Sequence, residues 1–189
     1  MKICILGDTH HGMRGDSLDF HKYMEKFYTN TFFPYLKDHN VTTVIQLGDL
    51  FDRRKFINFN SLYLCREYFF KKLQEHGIRF ITLLGNHDVA FKNTLQVNSS
   101  QLLLNEYDNI TVCDSFTTLN FDGIDIDIVP WLCDDNEDEI FDQIKQTKSQ
   151  ICLGHFELRG FEMERGVFCH TGIEKDKLTK YDVVLSGHF

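Results

Sequence analysis

FITLLGNHD, residues 80 to 88, sets an apolar, strand-like run against a glycine and then against an amide, an imidazole and a carboxylate. A short β-branched and aromatic run that stops at glycine reads as a buried strand delivering its polar residues to a loop. A given four-residue string such as GNHD arises by chance in a chain of this length with a probability on the order of one in a thousand. The pattern recurs on both sides. KICIL (2–6) leads into GDTHHG from Gly7, and TVIQL (43–47) into GDLFDRR from Gly48. ICL (151–153) leads into GHFE from Gly154, and VVL (183–185), after one serine, into the end of SGHF.

Longer amphipathic stretches separate these runs. Residues 18–38 place Leu18, Phe20, Tyr23, Phe27, Phe32 and Leu36 at roughly helical spacing, with Pro34 expected to kink or end the helix early. Residues 61–75 repeat the pattern through Leu62, Cys65, Tyr68, Phe69 and Leu73. From Thr117 to Val129 the period changes to two around Asp122 and Gly123, which predicts an antiparallel hairpin. The acidic run Asp134 to Glu139 reads as a solvated loop entering a helix. Strands alternating with helices predict an α/β layered domain.

The 189 residues and 42% hydrophobic content suit one domain, residues 1–189, with a sizeable core. MKICILGD is a strand pattern rather than a signal peptide, and no apolar run reaches membrane-spanning length, so a cytoplasmic protein is expected. The six cysteines form no C-x-x-C pair and are expected to be reduced. A formal charge of −8 argues against holding nucleic acid on a broad basic surface. It leaves room for bound cations, with Arg53, Arg54, Lys55 and Lys92 supplying local positive charge beside them.

Taken alone, Asp8 or Asp49 after a glycine is better read as a helix cap or turn residue, and a lone histidine as a hydrogen-bonded structural group. The set changes the reading. In open α/β sheets ligands bind at the carboxyl ends of strands, and these ends offer oxygen and nitrogen donors without thiolate, which suits hard or borderline divalent metals. A dinuclear centre is the expectation.

The order GD-x-H, GD-x-x-D, GNHD, GH and GH resembles that of the calcineurin-like metallophosphoesterases. Within them, GDLFDRRK, LLGNHDVAFKN, IDIVPWLCDDN and CLGHFELRGF are similar to the nuclease subunits of DNA double-strand-break repair complexes, SbcD-like exonucleases and T-even-type phage recombination endonuclease subunits included. The resemblance implies a four-layer α/β-β/α sandwich binding two divalent ions, manganese first and magnesium as the alternative. It implies that Asp8 and His10 hold one ion, that Asn86, His155 and His188 hold the other, and that Asp49 bridges both. His87 matches the family's catalytic histidine that binds no metal, with Asp88 expected to orient it and Asp52 to support a ligand. Arg53, Arg54 and Lys92 are the expected substrate contacts. Implied partners are DNA ends and single strands, an ABC-type ATPase and a second copy of the chain, acting in recombination and repair in a bacterial or phage-infected cell.

His11 departs from the apolar residue usual in related chains and is left out of the ligand set. His21, His39, His76 and His170 lack a strand-end glycine and are expected on the surface. The family's last motif is G-H-x-H, and here the sequence reaches Phe189, one residue before its second histidine. The expectation is a sandwich incomplete at its C-terminus, a weakly occupied first metal position, and no capping or ATPase-docking region. Two other readings stay open: a phosphatase or cyclic-nucleotide phosphodiesterase of the same fold, and a catalytically impaired module binding DNA ends or a partner.

Overall fold

The apolar runs preceding the glycine motifs all become strands with their carboxyl ends on one side. The computed structural model describes residues 1–188; Phe189, the last residue of the SGHF motif, lies outside them. One sheet has the order β1 (Ile3–Leu6), β2 (Thr43–Gln46), β3 (Arg79–Leu83) and β4 (Ile110–Cys113), all parallel. The second contains β5 (Thr117–Phe121), β6 (Ile124–Val129) and β7 (Ile151–His155). A two-stranded ribbon, β8 (Glu162–Glu164) and β9 (Val167–Phe168), intervenes before β10 (Val183–Gly187), which completes the second sheet in the order β10-β7-β6-β5. Only the β5–β6 pair is antiparallel in that sheet, turning at Asp122 (φ 52) and Gly123 (φ 86). That dipeptide adopts the left-handed conformations a tight hairpin requires.

The sheets pack face to face. Ile45, Leu47, Ile81 and Leu83 of the first meet Phe121, Ile126, Ile128 and Leu153 of the second in one buried cluster. Helices cover both outer faces, giving the four layers α/β-β/α. On the first sheet lie α1 (Leu18–Phe27) and α2 (Phe33–Asp38), joined by a π-helical turn at Tyr28–Phe32, then α3 (Phe59–Cys65) and α4 (Lys71–Glu75), joined by another at Arg66–Phe70, and α5 (Ser99–Leu104). On the second lies α6 (Glu137–Gln146), burying Ile140, Phe141 and Ile144. Pro34 does not end its helix early. The wider turn at Tyr28–Phe32 relieves the clash its ring would make with the carbonyl four residues back, and helix continues to Asp38.

The helix-covered face is an aromatic wall. Phe69 has no exposed surface and meets Tyr28 at 4.5 Å, Phe70 at 5.3 Å and Phe80 at 5.4 Å between ring centroids. His11 sits inside this wall, its ring 5.4 Å from that of Phe69, with burial driving its pKa down to about 3. His21 is also buried, and its pKa is lowered by desolvation, so the surface position expected for it is incorrect. Both imidazoles are therefore neutral near pH 7. All six cysteines are free, and no described helix is long and apolar enough to cross a membrane.

Replacing Phe69 with alanine should cost about 3–5 kcal/mol of unfolding free energy, the range for truncating a buried aromatic. Phe59→Ala, at a position 88% exposed, should stay within about 0.5 kcal/mol of the parent. Urea denaturation followed by circular dichroism compares them, and equal losses would mean that the aromatic wall does not carry the stability assigned to it.

Candidate metal centre

The carboxyl ends of β1, β2, β3, β7 and β10 bring the expected ligands together. Asp8, His10 and Asp49 form one group, and Asp49, His155 and His188 a second, with the donor atoms of each within 4.8 Å of one another. Asp49 belongs to both. Its Oδ2 lies 3.6 Å from His10 Nε2 and 3.4 Å from His155 Nε2, while its Oδ1 accepts the His87 backbone N–H at 2.7 Å. Asn86 joins the second group through Oδ1, which is 3.0 Å from His155 Nε2 and 2.9 Å from His188 Nδ1.

These contacts test whether a cation fits. His155 Nδ1 donates to the Leu47 carbonyl at 2.7 Å, which in the neutral ring leaves a lone pair on Nε2. That lone pair then faces two oxygens, Asp49 Oδ2 and Asn86 Oδ1, which are acceptors themselves on that side. Only a positive charge, a proton or a metal ion, reconciles three such atoms. In addition, Asp8 Oδ1 is buried without a hydrogen-bond partner among the described residues. The donor set of carboxylate, amide oxygen and imidazole is that of a divalent metal centre.

The electrostatics agree. The Asp8 pKa is raised by burial and by the nearby Asp49 charge, against the opposing pull of His155 and the His188 N–H. Burial would raise Asp49 too, but its hydrogen bonds and the His155 charge outweigh that and lower it. His155 is raised because Asp49 outweighs its desolvation, whereas burial and the neighbouring His155 charge lower His188. Crowded carboxylates around a buried imidazole describe a pocket that favours added positive charge.

Backbone strain marks the same residues. His10 (φ 41), Asp49 (φ 53) and His188 (φ 90) are all left-handed, a state costing non-glycine residues about 1–2 kcal/mol each. Hydrogen bonds hold them: Thr9 and His10 N–H donate to the Asp49 carbonyl, and His188 N–H donates to Asp8 Oδ2 at 3.0 Å. Gly85 and Gly187 permit this closeness. A Cβ at Gly85 would strike Asp49, and one at Gly187 would strike Asp8 and the Leu47 carbonyl.

His87 stands beside the groups, its ring 4.9 Å from that of His10. Its Nδ1 donates to the Asp52 carbonyl at 2.5 Å. Asp88, expected to orient this ring, does something else: Oδ1 accepts the Leu50 and Phe51 N–H groups and Oδ2 accepts that of Gly85. Its carboxyl group ties the β2 and β3 loops together, and the Asp52 carbonyl takes the orienting role. Full burial and the Asp49 charge push the Asp88 pKa up to about 7. The Asp52 carboxylate approaches His10 Nδ1 at 3.6 Å, consistent with support of that ring.

Arg53 pairs with Asp16 at 3.1 Å and lies 4.9 Å from the Phe56 ring centroid. Arg53 and Arg54 line a groove next to Phe56 and Phe59. Lys92 is exposed on the following loop and makes no ion pair among the described residues. Two contributors escaped the sequence reading. Gln46 is fully buried and hydrogen-bonds Gly7, Gly48 and Thr82, joining three strand ends; its signal was an amide inside an apolar strand. Trp131 packs 5.9 Å from His155 and 5.2 Å from His188 between ring centroids, and its signal was its place just beyond the carboxyl end of β6.

Comparison with known proteins places this geometry. The chain is 40% identical over 189 residues to exonuclease subunit 1 of Enterobacteria phage T4, covering 100% of this chain and 55% of that protein. It is 31% identical over 198 residues to the DNA double-strand break repair protein Mre11 of Sulfurisphaera tokodaii, covering 100% of this chain and 48% of that protein. The chain thus spans about half the length of these relatives. The family model for calcineurin-like phosphoesterases matches residues 1–189, and the chain belongs to the calcineurin-like phosphoesterase family.

Proposed function

We propose that this chain is the phosphoesterase domain of a DNA nuclease that hydrolyses phosphodiesters at a centre for two divalent cations, working in recombination and double-strand-break repair. The observation carrying the reading is Asp49, whose carboxylate is shared by two ligand triads. Similarity to a phage exonuclease subunit and an archaeal double-strand break repair protein supports DNA as the substrate. Asp8, His10 and Asp49 would hold one ion, and Asp49, Asn86, His155 and His188 the other, with manganese or magnesium the candidates.

Ions so held would activate water and offset charge building on the phosphate. The protein's own residues do the rest. Leu47 holds His155 with Nε2 turned to the centre, and Asp49 Oδ1 fixes the His87 loop through its N–H. With Nδ1–H committed to the Asp52 carbonyl, His87 would give the departing oxygen the second proton of its imidazolium form, carried on Nε2. Arg53, Arg54 and Lys92 would take flanking phosphates. The reading carries with it an ABC-type ATPase partner, a cytoplasmic setting and a second copy of the chain.

End-labelled linear duplex DNA should be cut in manganese and spared in chelator. His87→Ala should keep its metal affinity yet lose about 10²- to 10⁴-fold in rate. Cleavage of phosphopeptide or cyclic nucleotide with DNA left intact would instead favour a phosphatase or cyclic-nucleotide phosphodiesterase.

In calorimetric titrations with manganese, Asp49→Ala should lose both binding events, and His155→Ala one. Retention of both ions by Asp49→Ala would remove the bridging role.

A further inference from the structure

A run of buried polar groups beside the His10 turn takes no part in the chemistry proposed above. Asp16 Oδ1 accepts the Ser61 hydroxyl at 2.7 Å, and Ser61 Oγ lies 2.8 Å from His21 Nε2. His21 Nδ1 is 3.1 Å from the Tyr68 hydroxyl, which is 3.0 Å from His11 Nδ1. The acid end sets the direction of every proton. A carboxylate only accepts, so Ser61 gives its single proton to Asp16 and must accept from His21 Nε2–H. Neutral His21 then accepts at Nδ1 from Tyr68, and Tyr68 accepts from His11 Nδ1–H. All four links point the same way, the arrangement in which successive hydrogen bonds polarise one another.

The two ends of this chain of bonds grip one turn. His11 directly follows His10, and Asp16 closes the turn. Between them His10 (φ 41), Gly12 (φ 91), Arg14 (φ 55), Gly15 (φ 69) and Asp16 (φ 63) are left-handed. Three of these are not glycine, and such a conformation persists only where its surroundings impose it. Backbone bonds hold the His11 end, with its N–H on the Leu50 carbonyl at 2.9 Å and its carbonyl accepting from Asp52 at 3.1 Å. At the other end Asp16 also takes Arg53 at 3.1 Å. His21 on α1, Ser61 on α3 and Tyr68 in the π-helical turn thus all bear on the segment that presents His10.

We infer that Tyr68, His21 and Ser61 are positioning residues that fix the His10 imidazole for the cation of the Asp8–His10–Asp49 group and leave the Asn86–His155–His188 group untouched. The inference rests on the metal-centre reading. Tyr68→Phe removes the central hydroxyl and keeps the ring. Tyr28→Phe is the control, because its hydroxyl lies in the same aromatic wall without a hydrogen-bond partner among the described residues.

The experiment is manganese titration followed by calorimetry and electron paramagnetic resonance, in the parent and in His155→Ala and His10→Ala backgrounds that isolate each position. Tyr68→Phe should weaken binding by about tenfold or more in the His155→Ala background, the scale for removing a group that orients a ligand, with no change in the His10→Ala background. Tyr28→Phe should change neither. His21→Gln, whose amide can both accept and donate, should retain more affinity than His21→Leu. Unchanged or equal losses in the two backgrounds, or a loss matched by Tyr28→Phe, would overturn the positioning role. A parent protein taking up no manganese would overturn the metal-centre reading itself and this inference with it, a result distinct from parent-like binding by Tyr68→Phe.

Discussion

One carboxylate organises the centre. Asp49 sits 2% exposed at the end of β2, between β1 and β3, and reaches the ends of three other strands at once. Its carbonyl holds the β1 loop, Oδ1 holds the β3 loop through His87, and Oδ2 faces His10 and His155 from opposite sheets. A neutral residue of the same shape could keep some of these hydrogen bonds. It could not draw the His155 imidazole upward in pKa or present shared negative charge to two cations.

The face-to-face sheets explain how loops so distant in sequence converge. β7 and β10 lie parallel to each other, as do β1, β2 and β3, so both sheets deliver their carboxyl ends to one rim. Convergence has a conformational cost: three left-handed residues at about 1–2 kcal/mol each. A single buried aromatic is worth about 3–5 kcal/mol on truncation, and the wall around Phe69 contains several. The wall lies on the opposite side of the first sheet from the inter-sheet core, so stability and chemistry are drawn from separate parts of the fold. The Tyr68 hydroxyl and the His11 ring are where the two parts touch.

What the sequence disclosed followed from local signals. β1, β2, β3, β7 and β10 each run into a glycine motif, and Asp122-Gly123 marks the hairpin by its own backbone preference. β4 escaped because Ile110–Cys113 ends in Asp114 with no motif to flag it. Pro34 misled because a π-helical turn, set by tertiary packing, cannot be read from helical spacing. His21 was misplaced for a related reason: its partners Ser61 and Tyr68 lie 40 and 47 residues away, and nothing around residue 21 announces them. Asp88 was assigned to its sequence neighbour, whereas its hydrogen bonds to Leu50 and Phe51 span 38 and 37 residues. Ligand types were legible one by one, and the contacts that aim them were not.

Charge decides how a phosphodiester could enter such a centre. The chain carries −8 overall, and Asp8, Asp49 and Asp52 crowd the rim where a phosphate would sit. Arg53, the nearest basic side chain to Asp52 in sequence, is shared with Asp16 at 3.1 Å. A second anion brought to this rim would meet the repulsion of these carboxylates. On the proposed reading, bound cations therefore do more than activate water: they reverse the sign of the local field, so that substrate capture and chemistry depend on the same ions. The turn that presents His10 then bears on both through the single ion that His10 would help to hold, because a misplaced imidazole loosens a charge that attracts the phosphate as well as acting on it.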